Sequence, residues 1–264
     1  MQIIQWQEFL QRPLGGSPSA VTVGVFDGVH RGHKALIECV AAHKDRAAPM
    51  VVTFRQGHYK KSGKQDYPGD ILSFRQKMSA FDRLGVSLTV VIEFSESFRR
   101  MSGMDFFRTL HERANMSFLA VGSNFRCGYR MDTDAAVIQD FGAQHGIPVS
   151  IVPVLTEASV QISSSQIRAA IARGDLSAAA AMLGYPFTVD LAGQDISSPC
   201  GTVFGVSRRA SILPPPGTYS VYLVGEKNGQ EAKTSGKILV EDGNIIIDKY
   251  LAEEIRPEYV EFCL

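Results

Sequence analysis

Apolar residues in this chain fall into short β-branched runs separated by stretches of helical spacing. Val21, Thr22, Val23 and Val25 form the first run and Met50 to Phe54 (MVVTF) the second. Leu88 to Ile92 (LTVVI), Phe118 to Val121 and Val149 to Val154 follow. Between the first two, Leu36 with Val40 and Ile37 with Ala41 repeat at four-residue spacing, which predicts a helix. Asp70 reads as the N-cap of a second helix ending near Gly85, with Leu72, Met78, Phe81 and Leu84 for its buried face. Met104 to Ala114 reads as a third, and Asp134 to His145 as a fourth, stopped by Gly146. Strands alternating with helices in this way predict an α/β fold, a Rossmann-like five-stranded parallel sheet with helices on both faces. Ligands of such sheets gather beyond the carboxyl ends of the strands.

After a helix capped at Asp175 and stopped by Gly184, the period changes. Gly217 to Val224 (GTYSVYLV) alternates with period two, Asn228-Gly229 and Asp242-Gly243 are hairpin signals, and Ile245 to Ile247 is another short strand. The expected organisation is an α/β domain over residues 1–186 and a small all-β domain over residues 187–264.

Composition narrows the partners. The chain has 264 residues, 45% of them hydrophobic, and its 27 Lys and Arg balance 27 Asp and Glu. A broadly basic surface for nucleic acid is not expected. Cys39, Cys127, Cys200 and Cys263 are scattered without a C-x-x-C pair, so neither a zinc ribbon nor a disulfide framework is predicted. The first residues, MQIIQWQEFLQRP, have no basic then apolar leader, and no run reaches membrane-spanning length. These features predict a cytoplasmic protein.

Three stretches carry chemistry. In the first, VGVFDGVHRGH, a strand gives way at Asp27-Gly28 to a corner holding His30, Gly32 and His33 ahead of a helix. Gly32 would let the backbone approach an anion, and the free N–H groups and dipole of a helix start favour phosphate. The same imidazoles could be ordinary polar side chains at a helix start, or two ligands of a metal site. The other histidines (His43, His58, His111, His145) supply no spaced cluster to complete such a site. In the second, ISSSQIR, the serines fit an N-cap, but three in a row exceed what capping needs. Arg168 lies about one turn into that helix, where a cation is disfavoured by roughly 0.3–1 kcal/mol unless an anion binds there. In the third, GSNFRCG, the glycines suit a turn, while Asn124 and Phe125 offer a donor–acceptor pair and an aromatic face for a planar ring or ribose.

Together these residues resemble the bacterial FAD synthetases, in which an FMN adenylyltransferase module precedes a riboflavin kinase module. VGVFDGVHRGHKALI resembles the family signature, and its His-x-Gly-His element is shared across the nucleotidyltransferase superfamily. VVTF, VGSNFRCG and ISSSQIRAAIARGDLSAAAAMLGYPF resemble further family segments in the same order, so the likeness runs from about residue 18 to 187. It implies adenylyl transfer from ATP to FMN, with magnesium as cofactor and no protein nucleophile. His30, His33 and Arg168 would be the catalytic residues, and none would be a metal ligand. Gly24, Phe26, Asp27, Gly32, His33, Ser164, Ser165 and Arg168 would bind ATP, and Phe54, Asn124 and Phe125 would bind FMN.

There are departures. Thr53-Phe54 runs into Arg55-Gln56-Gly57-His58 instead of Asp-Pro-His-Pro, and Cys127 stands where a second aromatic is usual. Ile212 to Val221 resembles a strand of the kinase module. The kinase's Gly-Phe-Pro-Thr-Ala-Asn element, which supplies Thr and Asn to magnesium-ATP, has no counterpart between Gly193 and Leu213. The expectation is a riboflavin-kinase-like barrel without kinase activity. The alternatives are a bifunctional enzyme that also phosphorylates riboflavin, and a regulatory protein that binds flavin or nucleotide without turnover.

Overall fold

The computed structural model describes residues 1–12, 16–55, 67–191, 195–198, 201–205, 211–227, 230–248, 251 and 255–264. Its contacts group the chain into two compact units. One is Met1–Phe26, Gly32–Gly63 and Met78–Thr156; the other is Asp27–Arg31, Lys64–Lys77 and Glu157–Leu264.

The first unit is built on a parallel sheet of six strands in the order Gln2–Gln5, Leu88–Ile92, Ala48–Phe54, Ser19–Val23, Met116–Gly122 and Val149–Val152. Five are the strands read from the sequence. The sixth, Gln2–Gln5, pairs in parallel with Leu88–Ile92 at the sheet edge. Its four residues (QIIQ) carry too little apolar pattern to stand out.

Both faces of the sheet are covered, because alternate strand residues enter different clusters. Val21, Val23, Met50, Val52, Val90, Leu119 and Val121 pack with Trp6, Phe9, Phe106, Phe107, Leu110, Ile138 and Phe141 from three helices. Ala20 and Ala120 pack with Val40 of the Arg31–Ala41 helix. Local chemistry sets the helix ends. Asp134 accepts from the N–H groups of Ala136 and Val137 at 3.0 and 3.2 Å, and Gly146 closes that helix in the left-handed region.

One expected cap is corrected. The helix after Asp70 spans Phe74–Arg83, and Ser73 begins it. Gln76 N donates to Ser73 Oγ at 3.1 Å, while Ser73 N donates to Gln76 Oε1 at 2.9 Å, a reciprocal capping box. Asp70 instead forms a bridge with Ser211 and accepts from the Tyr67 hydroxyl.

The second unit contains the helices Ser164–Ala172 and Leu176–Leu183, capped by Ser163 and Asp175, with Gly184 as the left-handed stop. A seven-stranded antiparallel sheet follows in the order Thr188–Asp190, Arg256–Phe262, Gly217–Lys227, Gln230–Glu241, Asn244–Ile247, Gly201–Gly205 and Asp195–Ser198. Asp242 and Gly243, at φ 50° and 81°, make the two-residue hairpin turn expected of that dipeptide. The Asn228-Gly229 signal lies outside the described residues, between the paired Lys227 and Gln230. Arg55 to Gly69, a polar, glycine-containing stretch longer than most βα connections and so expected as a functional loop or lid, lies mostly outside them as well.

Candidate functional site

The strand Ser19–Val23 stops two residues earlier than its apolar run. Thr53 Oγ1 takes up the released carbonyl of Val25 at 3.1 Å, and Gly24 N donates to Val52 O at 3.1 Å. The chain then turns sharply. Phe26 (φ 52°) and Val29 (φ 35°) both lie in the left-handed region around Gly28 (φ 82°). That conformation is uncommon for a β-branched residue, and such strain collects at binding sites. The Arg31–Ala41 helix starts one residue after His30, so the corner is tighter than the sequence implied: Gly32 and His33 already belong to the first turn.

The corner divides between the two units. In the first, the His33 ring packs edge-on against Phe26, 5.1 Å between centroids. Gly24 lies beside Phe26, whose ring a Cβ there would approach to 3.1 Å. Phe54, at the carboxyl end of its strand, stacks on Phe94 at 4.5 Å. Asn124 is exposed in the loop after Met116–Gly122. Phe125 is half-buried and meets Phe107 edge-on at 6.2 Å. Parallel strands align these residues along one edge of the sheet. Cys127 packs on the same core cluster as Phe125, and burial, then Asp132, push its thiol up to about 12. It fills space as a neutral thiol.

In the second unit, Asp27, Ser164 and Arg168 come together. Arg168 Nη2 donates to Asp27 Oδ2 and Nε to Gly69 O at 3.0 Å. Ser164 Oγ donates to Asp27 O at 2.8 Å. The three serines have separate tasks: Ser163 caps the helix, Ser164 holds the corner, and Ser165 is exposed in the first turn. The anion expected to offset Arg168 proves to be Asp27 itself. A ligand there meets a guanidinium already oriented by the protein, with Nη1 making no hydrogen bond among the described residues.

Three neighbours were not singled out in the sequence. Tyr67 hydrogen-bonds Asp70, and Arg168 Nη2 reaches the Tyr67 hydroxyl at 3.3 Å. Lys77 is buried, at 6% exposure, within the field of Asp27 and Asp70. Its signal was available: with Phe74, Met78 and Phe81 it completes an i, i+3, i+4, i+7 stripe where a lysine is out of place. Arg31, between the two imidazoles, pairs with Glu157 and donates to Ala181 O at 3.2 Å.

Burial sets the protonation of this group. It pushes the Asp27 carboxyl up, against the pull of Arg168 and of the Ile71 and Leu72 N–H groups. It holds Lys77 down to about 8, with Asp27 and Asp70 opposing. It lowers His30 from 6.5 to about 4, leaving a neutral imidazole at pH 7.

A histidine held neutral contributes stability that is complete above its unfolded value and lost as pH falls through its folded value. Between pH 6.5 and 4, His30 is therefore expected to remove about 3 kcal/mol of stability. Urea midpoints across that window should fall less steeply for His30→Asn than for the parent; parallel curves would contradict this.

A parallel α/β sheet whose Ser19–Val23 strand turns through His-x-Gly-His into a helix defines a nucleotidyltransferase. The chain belongs to the FAD synthetase family, whose model matches residues 15–166. It is similar to the bifunctional riboflavin kinase/FMN adenylyltransferase of Escherichia coli (strain K12), 29% identical over 215 residues, 78% of this chain and 68% of that protein. The protein of the same description from Bacillus subtilis (strain 168) is 30% identical over 223 residues, 80% and 69% of the two chains. A solved structure described as a macrolide-efflux protein from Streptococcus pneumoniae superposes with a TM-score of 0.79 at 23% identity, covering 99% of this chain and 89% of that one. That likeness is one of fold, and it includes the antiparallel sheet.

Proposed function

We propose that this protein transfers the adenylyl group of ATP to FMN. An oxygen of the FMN phosphate forms a bond to the α-phosphorus of ATP, the bond from that phosphorus to the β-phosphate oxygen breaks, and FAD and pyrophosphate leave. The observation that carries the reading is the Asp27–Arg168–Ser164 cluster, which ties the serine-led helix start to Asp27, three residues ahead of His30, within one unit.

Catalysis is then positioning plus charge stabilisation. His30 and His33 meet the phosphates as negative charge shifts toward the leaving pyrophosphate. Ser164, Ser165 and Arg168 hold the triphosphate, and Gly32 leaves room for it at the helix start. Gly24, Phe26 and Asp27 line the adenylate side, and Phe54, Asn124 and Phe125 the flavin side.

Among the described residues no three His, Cys, Asp or Glu side chains form a metal cage, and Asp27 is already engaged by Arg168 and two N–H groups. Magnesium fits as the companion of the triphosphate, which supplies its oxygens together with water. We place the activity in the cytoplasm, consistent with the absence, among the described residues, of a helix long and apolar enough to cross a membrane.

Incubation with magnesium, ATP and FMN is expected to give FAD and pyrophosphate in equal amounts. No FAD at any substrate concentration would overturn the reading, and tight ATP binding without pyrophosphate would point to a regulatory protein. Riboflavin in place of FMN is expected to give no product, because the kinase's Thr and Asn element is missing. FMN formation would make the protein bifunctional.

A further inference from the structure

The sheet that lacks the kinase element is tied into the cluster around Arg168. The connection runs through residues 67–73, a strap without helix or strand that precedes the Phe74–Arg83 helix. One side of the strap serves the Asp27–Arg168 pair. The Tyr67 hydroxyl and the Gly69 carbonyl accept from Arg168, at 3.3 and 3.0 Å. The N–H groups of Ile71 and Leu72 donate to Asp27 Oδ1, at 2.9 and 3.4 Å.

The other side is fastened to the antiparallel sheet and the segment leading into it. Asp70 bridges Ser211, and Ile212 N donates to Asp70 O at 3.0 Å. Gly69, at φ 110°, lies so close that a Cβ would come within 2.5 Å of the Ser211 carbonyl carbon. Ser73 Oγ donates to Asp190 Oδ2 at 2.5 Å. Arg75 grips Asp190 with two nitrogens at 2.8 and 3.3 Å and Glu258 with a third at 2.6 Å, and its guanidinium lies 4.5 Å above the Tyr259 ring. Asp190 and Tyr259 are register partners on neighbouring strands, so Arg75 engages both strands at one level.

We propose that the C-terminal sheet acts as a brace for the nucleotide site, with Arg75 and Asp190 as positioning residues that hold the strap against the Asp27–Arg168 pair. The physical reason is entropy. A strap with no regular backbone ladder of its own keeps few conformational restraints, and each residue held in one backbone state costs about 1–2 kcal/mol. The sheet offsets that cost through a two-stranded anchor. A sheet without the kinase's Thr and Asn element thereby has a use in adenylyl transfer. This inference rests on the reading of Arg168 as a triphosphate ligand.

The test uses the full chain with Arg75→Ala. The Arg75 side chain is 43% exposed, so its truncation opens no core cavity, and Asp190, 7% exposed, keeps the Ser73 hydroxyl as a donor. Asp190→Asn is the second variant and Arg75→Lys the rescue. Steady-state FAD synthesis is measured together with calorimetric binding of a non-hydrolysable ATP analogue and hydrogen exchange at the Ile71 and Leu72 amides. Arg75→Ala is expected to raise KM for ATP and weaken the analogue by about 10-fold, with kcat and KM for FMN within about twofold. The two amides should exchange faster, and Arg75→Lys should recover part of each change.

Unchanged analogue affinity and unchanged amide exchange in both variants would overturn the brace. So would a uniform fall in kcat, affinity for both substrates and melting temperature. If the parent chain makes no FAD, the proposed function fails by itself. Analogue affinity and amide exchange still read the brace in that case.

Discussion

Replacing His33 with Ala is expected to lower kcat for FAD synthesis by about 100-fold or more while leaving KM for ATP within a fewfold. The imidazole sits in the first turn of the Arg31–Ala41 helix and is held against the Phe26 ring. A donor fixed there requires little reorganisation when charge develops on the phosphates, which is the condition for stabilising a transition state more than a ground state. Stopped-assay kinetics at saturating FMN separate the two parameters. A rise in KM with kcat preserved would mean that His33 binds ATP and does no more. Unaltered kinetics would remove it from the site.

The second large effect is on stability. Arg168→Ala strands the Asp27 carboxylate, whose side chain is 8% exposed, beside two backbone N–H groups. Breaking a buried pair by removing one partner typically costs about 3–5 kcal/mol, a large share of a stability of about 5–15 kcal/mol. Arg168 also opposes the upward push of burial on Asp27. Without it the carboxyl rises further above its unfolded value of 3.8, and the variant should lose stability as pH rises through the raised value. Urea denaturation followed from pH 4 upward checks both points. The double variant with Asp27→Asn should regain much of the loss, since no charge is then left without its partner. A single variant as stable as the parent would show that the pair carries little of the fold.

The strands were legible where apolar runs were buried on both faces, as in LTVVI and MVVTF, and helix limits were legible where a cap is a side chain, as at Asp134, Ser163 and Asp175. The edge strand Gln2–Gln5 was not, because a four-residue half-polar strand has no period to read. Asp70 fits the capping rule as well as Ser73 does, because an Asp before an apolar helix satisfies it equally. Its backbone is instead engaged by Ser211 and Ile212, 141 and 142 positions further on, which no local pattern encodes.

For the site, the sequence by itself determined the residue types and their order: His30, Gly32 and His33 at the turn, Asn124 beyond a strand, and the serines and Arg168 at a helix start. Backbone conformation and capping are local, so a local pattern reports them. Only the tertiary structure decided what those residues face. It paired Arg168 with Asp27, gave Ser164 the corner carbonyl, buried His30 and Lys77, and brought the 67–73 strap onto Asp27 and Arg168. Charge pairing and desolvation depend on neighbours brought close by folding, and the distances that set them exist only once the chain has closed on itself.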